Sequence, residues 1–262
     1  VNATTTVTSA DGTQIAYYRS GTGPPLIVVD GALCSYGFGP AAELVDVLSP
    51  HFTVYAYDRR GRGASGDKQP FHVDREIEDL DALIAVAGGT AFVYGISSGA
   101  ALVLHAAARG SAVIKMVLFE PPFTAEFGDP AEVNNEHAIL DEMLAAGQHG
   151  AAVERFLSYM MPPEVITGMR ESPVWSTLES AAPTIAYDNA SMGDGTIPRG
   201  TARMVDTPTL VVAGDESPAE LRHVAKALAD ALPAGRYREV GGLSHTSAPQ
   251  PLAPVLREFL IA

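Results

Sequence analysis

Five continuous apolar runs constrain this chain more than any other feature. They are "PLIVVDG", "FTVYAYDRRGRG", "AFVYGIS", "VIKMVLFEPP" and "PTLVVAGD". In each, β-branched and aromatic residues follow one another without the polar alternation of a half-exposed strand. Such runs suit strands buried on both faces, which is what a parallel sheet requires. "RYREVGG" adds another strand near the end. "TTVTSA" and "TQIAYYRS", joined by the turn pair Asp11-Gly12, read as a hairpin at the start. Helical stretches alternate with the runs: "AAELVDVLSP", "DREIEDLDALIAVAG", "SGAALVLHAAARG", "SPAELRHVAKALADALPAG" and "QPLAPVLREFLIA". Strand–helix alternation with short connections predicts an α/β, doubly wound, mostly parallel eight-stranded sheet.

The rhythm breaks in the middle. "AEVNNEHAILDEMLAAGQ" and "AAVERFLSYMM" have helical periodicity, shorter helical pieces follow, and no buried strand interrupts them. The expected organisation is therefore a core built from residues 1–121 and 206–262, with a helical lid, 122–205, inserted after the sixth strand.

A formal net charge of −14 argues against nucleic acid as a partner, because an acidic surface repels phosphates. The histidines are scattered, and His105, His137 and His149 lie in helix-like surroundings, so no metal site is expected. Cys34 is the single cysteine, which excludes an internal disulfide and points to a reducing compartment. No stretch approaches the ~18 apolar residues of a membrane span. The expectation is a cytoplasmic protein with no membrane, metal or cofactor partner. Oligomeric state is not legible.

Within "FVYGISSGAAL" the pattern Gly-x-Ser-x-Gly fits only Gly95-Ile96-Ser97-Ser98-Gly99, which makes Ser97 the candidate nucleophile. The pattern demands a sharp strand-to-helix turn that presents the serine hydroxyl to a cleft. It follows an apolar run and opens a small-residue helix, which is the context the motif needs. The helix start also brings a positive dipole end to a developing oxyanion.

With these pieces in place the chain resembles the α/β-hydrolase superfamily over nearly its full length. The resembling segments stand in family order: "VVDGALC", "YDRRGRGASG", "YGISSGAA", the helical middle, "PTLVVAGDESP" and "GGLSHT". The resemblance implies an α/β-hydrolase fold and a catalytic histidine at His245, in the loop between the last strand and the last helix. It implies an oxyanion hole made by the backbone amides of Ala32 and Ser98. It also implies that the "DRRGRG" loop braces the oxyanion loop. From their chemistry Asp58, Arg59 and Arg62 can pair locally.

The acid departs from the family pattern. Relatives commonly carry Gly-Asp-x-Asp-Pro after the seventh strand. Here Gly214-Asp215-Glu216-Ser217-Pro218 puts a serine where the acid belongs. Glu120 stands at the end of the expected sixth strand, "VIKMVLF", where a carboxylate is costly without a purpose. Some members, haloalkane dehalogenases among them, take their acid from this strand end. Glu120 is the favoured acid and Asp215 the alternative. Asp30-Gly31 replaces the usual His-Gly. Asp30 is expected to point away and hydrogen-bond its loop, or else to hold a polar group of the substrate. Cys34 reads as a packing residue.

Phe123, Met160, Met161 and Trp175 are candidate pocket residues, alongside Phe127, Met169 and Tyr187. Together they suggest a small-to-medium apolar substrate. The expected function is a serine hydrolase of a carboxylic ester, thioester or lactone. The alternatives are a carbon–carbon bond hydrolase or perhydrolase using the same triad, and a non-catalytic ligand-binding protein of this fold.

Overall fold

The computed structural model describes residues 5–246 and 249–261. The first four residues and Ala262 of the expected core segments, and Ser247 and Ala248 beside the candidate histidine, lie outside the described residues. The sheet contains β1 (Thr5–Thr8), β2 (Gln14–Ser20), β3 (Pro25–Val29), β4 (Thr53–Tyr57), β5 (Ala91–Ile96), β6 (Val113–Phe119), β7 (Thr209–Gly214) and β8 (Gly235–Val240). Their order is β1-β2-β4-β3-β5-β6-β7-β8. The β1–β2 and β2–β4 pairs are antiparallel, and all other neighbours are parallel.

The helices are α1 (Ala41–Leu48), α2 (Val73–Val86), α3 (Ser98–Ala108), α4 (Pro130–Ala145), α5 (His149–Leu157), α6 (Pro163–Arg170), α7 (Val174–Ala181), α8 (Ile185–Met192), α9 (Arg199–Ala202), α10 (Ala219–Ala231) and α11 (Leu252–Ile261). Side chains alternate across a strand, so each apolar run feeds two cores. Leu26 and Val28 join α1 and α11 on one face. Ile27 and Val29 join α2, α3 and α10 on the other. In α2 the inward residues Ile77, Leu80, Leu83 and Ile84 share one helical face. Full burial of one such side chain is worth about 1.5–3 kcal/mol, which is why the runs are so predominantly apolar.

Between β6 and β7 the described chain contains only helices and helical turns. Leu140, Ala152, Val153, Leu157, Ile166 and Leu178 form a separate apolar cluster, and Leu33, just after β3, belongs to it. Phe123, Ile197, Ala202 and Val205 pack instead in the main core. The two ends of the inserted stretch are thus part of the body beneath it. No helix among the described residues is long and apolar enough to cross a membrane.

The order around β3 positions the site. The chain leaves β3 through α1 to reach β4 on one side, then returns across the opposite face through α2 to β5. Loops diverge at such a switch point and leave a crevice at the carboxyl ends of the strands. Register then aligns those ends. Val29 pairs with Gly95, Ile96 with Phe119, and Phe119 with Val212. Asp30, Ser97 and Glu120 therefore emerge side by side.

Candidate active site

Three non-glycine residues have positive φ among the described residues, and all lie at this end of the sheet: Leu33 at 60°, Ser97 at 56° and Glu120 at 46°. Such backbone costs on the order of 1–3 kcal/mol each and persists only where the surroundings enforce it. At Ser97 the enforcement is visible. Its N–H donates to the Phe119 carbonyl at 2.9 Å, and α3 begins at the next residue. The flanking glycines allow the approach. A Cβ on Gly95 would lie 2.7 Å from the Gly99 carbonyl oxygen, and one on Gly99 would lie 2.4 Å from that of Val29. Larger residues would push α3 off the sheet. Ser97 makes no side-chain cap bond to its helix, so its hydroxyl has no structural duty there.

The structure brings Glu120 and His245 together. Glu120 is fully buried, with Oε2 2.7 Å from His245 Nδ1. A carboxylate only accepts, so Nδ1 is the donor in this contact. Glu120 Oε1 accepts from the Gly214 N–H at 2.8 Å, which fixes the carboxylate in its plane. The Phe119 ring lies against the imidazole at 6.1 Å between centroids. Asp215 is exposed, and its Oδ1 accepts from the Gly242 N–H at 2.8 Å. Ser217 is buried with an unpartnered hydroxyl.

The loop after β3 runs alongside the elbow: a Cβ on Gly31 would lie 3.0 Å from Ser97 Cβ. The Gly31–Ala32 peptide is thus beside Ser97, and the Ser98 N–H starts α3. Asp30 turns into the protein interior. It is 2% exposed, and both carboxyl oxygens are sealed from solvent. Its nearest backbone donor is the Ala41 N–H at the start of α1. Burial, against the opposing pull of Arg62 and Arg59, pushes its carboxyl up to about 7. Cys34 lies close by, and burial pushes its thiol up, so it stays protonated and inert.

The Asp30 proton is linked to stability. The folded protein holds it while the unfolded chain, with an ordinary Asp near 3.8, has lost it. The contribution is whole below the unfolded value and is lost as pH rises to about 7. Asp30→Asn removes that dependence. Between pH 4 and pH 8 the stability difference should move in the variant's favour by on the order of 4 kcal/mol. Urea unfolding at both pH values measures it, and parallel curves for the two proteins would refute the assignment.

The "DRRGRG" arginines do not pair locally as expected. Asp58 spends its oxygens on the N–H groups of Tyr36 and Ala64, at 2.7 and 2.8 Å. Arg59, Arg60 and Arg62 are all at most 1% exposed, and their partners are far along the chain. Arg60 pairs with Asp79 and Asp11. Arg59 forks onto Glu76 at 2.7 and 2.8 Å. Arg59 Nη1 also reaches Asp188 Oδ1 at 2.9 Å and the Asp30 carbonyl at 3.1 Å. Arg62 forks onto Asp188 at 2.9 and 2.8 Å and donates to Thr184 Oγ1 and the Gly31 carbonyl, each at 3.0 Å. Burial opposes the charge on Asp188, but Arg62, Arg59 and the Ser98 hydroxyl outweigh it and hold the carboxyl below its ordinary range. Sequence reasoning missed Asp188. It is a single acid in a helix, with no spacing signal pointing to arginines more than a hundred residues earlier.

The candidate pocket residues divide. Met161, Met169 and Trp175 pack against the cluster of the inserted helices. Phe123 is fully buried in the main core, whereas Met160 and Phe127 are 44% and 64% exposed. Tyr187 stacks on Phe71 and donates to Asp67. The structure therefore does not gather these residues into one lining. Among the described residues no cluster of His, Cys, Asp and Glu could hold a metal ion.

A model of the alpha/beta hydrolase family matches residues 24–258. The chain is similar to a solved structure of an alpha/beta hydrolase from Sphaerobacter thermophilus DSM 20745. The identity is 46%, with 98% of this chain and 100% of that one covered and a TM-score of 0.88. It is 27% identical over 262 residues to a non-heme haloperoxidase of Rhodococcus erythropolis, covering 91% of this chain and 92% of that protein. It is 28% identical over 217 residues to a pimeloyl-[acyl-carrier protein] methyl ester esterase of Xanthomonas axonopodis pv. citri (strain 306), covering 79% and 83%.

Proposed function

Because the chain belongs to the alpha/beta hydrolase family and is a hydrolase, we propose that it cleaves carboxylic esters, thioesters or lactones through a serine acyl-enzyme. The observation that carries this reading is the 2.7 Å pairing of buried Glu120 with His245, one strand away from the left-handed Ser97. Ser97 Oγ attacks the carbonyl carbon while His245 Nε2 takes its proton. Glu120 holds the imidazole in the tautomer that leaves Nε2 free, and stabilises the imidazolium. The amides of Ala32 and Ser98 receive the oxyanion. Collapse expels the alcohol or thiol with the proton from His245. Water, deprotonated by the same nitrogen, then releases the acid.

The helices α4 to α8 act as the lid in this reading. Their apolar cluster, with Leu33 from the oxyanion loop, favours a small-to-medium apolar acyl or alcohol group. The similarity to a protein named a haloperoxidase favours a second acceptor. Hydrogen peroxide in place of water would convert the acyl-enzyme to a peracid and free serine.

A fluorophosphonate probe should label the protein on the one peptide that holds Ser97. A panel of p-nitrophenyl esters of rising chain length should then be turned over, with a preference for short to medium chains. Adding hydrogen peroxide and measuring peracid tests the second acceptor. Absence of both labelling and turnover would leave a non-catalytic ligand-binding protein of this fold.

A further inference from the structure

One buried carboxylate from the inserted helices touches the residue that carries one proposed oxyanion donor and, through Arg62, the peptide that carries the other. Asp188, on α8, is fully buried. Its Oδ1 accepts from Ser98 Oγ at 2.7 Å, from Arg59 Nη1 at 2.9 Å and from Arg62 Nη2 at 2.9 Å. Its Oδ2 accepts from Arg62 Nη2 at 2.8 Å. Resting on the serine-hydrolase reading above, we propose that Asp188 is a positioning residue of the oxyanion hole. Through it, the seating of the inserted helices sets the aim of the two amides.

The first route runs through Arg62. Its Nη1 donates to the Gly31 carbonyl at 3.0 Å. That carbonyl and the Ala32 N–H belong to one planar trans peptide, so they point in opposite directions. Pinning the oxygen on one side aims the N–H to the other, and a charged donor on the carbonyl also strengthens the N–H as a donor. The guanidinium cannot choose another orientation. Nη2 is taken by both Asp188 oxygens and Nε by Thr184 Oγ1 at 3.0 Å. Thr184 directly precedes α8 and Asp188 lies within it. A single short segment of the insertion therefore grips this arginine at two points.

The second route runs through Ser98. Its hydroxyl donates to Asp188 and accepts from Arg59 Nη1 at 3.2 Å, while the same Nη1 holds the Asp30 carbonyl at 3.1 Å. The residue that supplies the second amide is thus tethered by its own side chain. Arg59 keeps Glu76 as a counter-charge. For Arg62 the contact carboxylate is Asp188 alone among the described residues. Removing one oxyanion donor typically costs about 10²–10³ in kcat, and misaiming both falls in that range.

The test compares matched carbonyl and thionocarbonyl esters on the whole protein. Sulfur is a large, weak acceptor and draws little from amide donors, so the intact enzyme should favour the oxygen ester strongly. Asp188→Asn should lower kcat on the oxygen ester by about 10², leave KM within about threefold, and shrink the oxygen-to-sulfur preference by a similar factor. Ser98→Ala, which removes one neutral hydroxyl and keeps every charge pair, should fold as the parent does. It should lose about tenfold in kcat, with a matching fall in that preference, since a lost buried hydrogen bond is worth about 1–2 kcal/mol. An unchanged preference in both variants, or a loss confined to KM, would overturn the role. If Asp188→Asn does not fold, the preference of Ser98→Ala decides alone. A wild-type protein without turnover or fluorophosphonate labelling would instead refute the serine-hydrolase reading, and this role with it.

Discussion

Ser97→Ala should cut ester turnover by roughly 10³-fold or more, the usual loss when a triad member is removed, and leave the melting temperature close to that of the parent. The two halves of this result have different causes. In the proposed mechanism the hydroxyl is the attacking group, and no neighbour can replace it. Ser98 starts α3 with its side chain tied to Asp188 and Arg59, and Cys34 is held protonated by burial. Stability is spared because Ser97 makes no side-chain cap bond, and alanine keeps the same Cβ and the same left-handed backbone. Steady-state kinetics with p-nitrophenyl esters, paired with a thermal melt, separates the effects. Turnover equal to that of the wild type would sink the assignment of the nucleophile.

Glu120→Gln should lower kcat by roughly 10²–10⁴ with little change in KM. Glutamine fills the same space and can still accept from the Gly214 N–H, so the end of β7 stays in place. Its amide nitrogen then faces His245 Nδ1 and donates to it. The imidazole must then move its proton to Nε2, the nitrogen that the proposed mechanism requires as the base. Loss of the negative charge also leaves the imidazolium without its partner. Asp215→Asn should do little, because that carboxylate is exposed and serves the Gly242 N–H. A silent Glu120 variant together with a crippled Asp215 variant would return the acid to the end of β7.

The strands and the elbow were legible because each is set by local chemistry. An apolar run such as Leu26 to Val29 must be covered on both faces, and Gly95 and Gly99 are demanded by contacts within a few residues or one strand away. Glu120 was legible for a similar reason, since a charge at the end of an apolar strand needs a partner. What the sequence hid depends on the distant return of the chain. Local opposite charges suggested that Arg59 and Arg62 would pair with Asp58. Burial and register instead bring Glu76 and Asp188 to them, while backbone amides claim Asp58. Phe123 was indistinguishable from a pocket aromatic. Its place is decided by Ile197 and Val205, at the far end of the insertion, which close over the same core.

The sealed arginines divide the electrostatics of this acidic protein into two populations. Outer charges feel dissolved ions within a Debye length of about 8–10 Å at ordinary salt. Ionic strength therefore tunes the mutual repulsion behind the net charge of −14. Arg59, Arg62, Glu76 and Asp188 are closed to solvent, and counter-ions cannot reach them. The cost of stripping water from such ions also falls as temperature rises. The bonds that seat the inserted helices on the sheet are thus those that salt disturbs least and warming favours most.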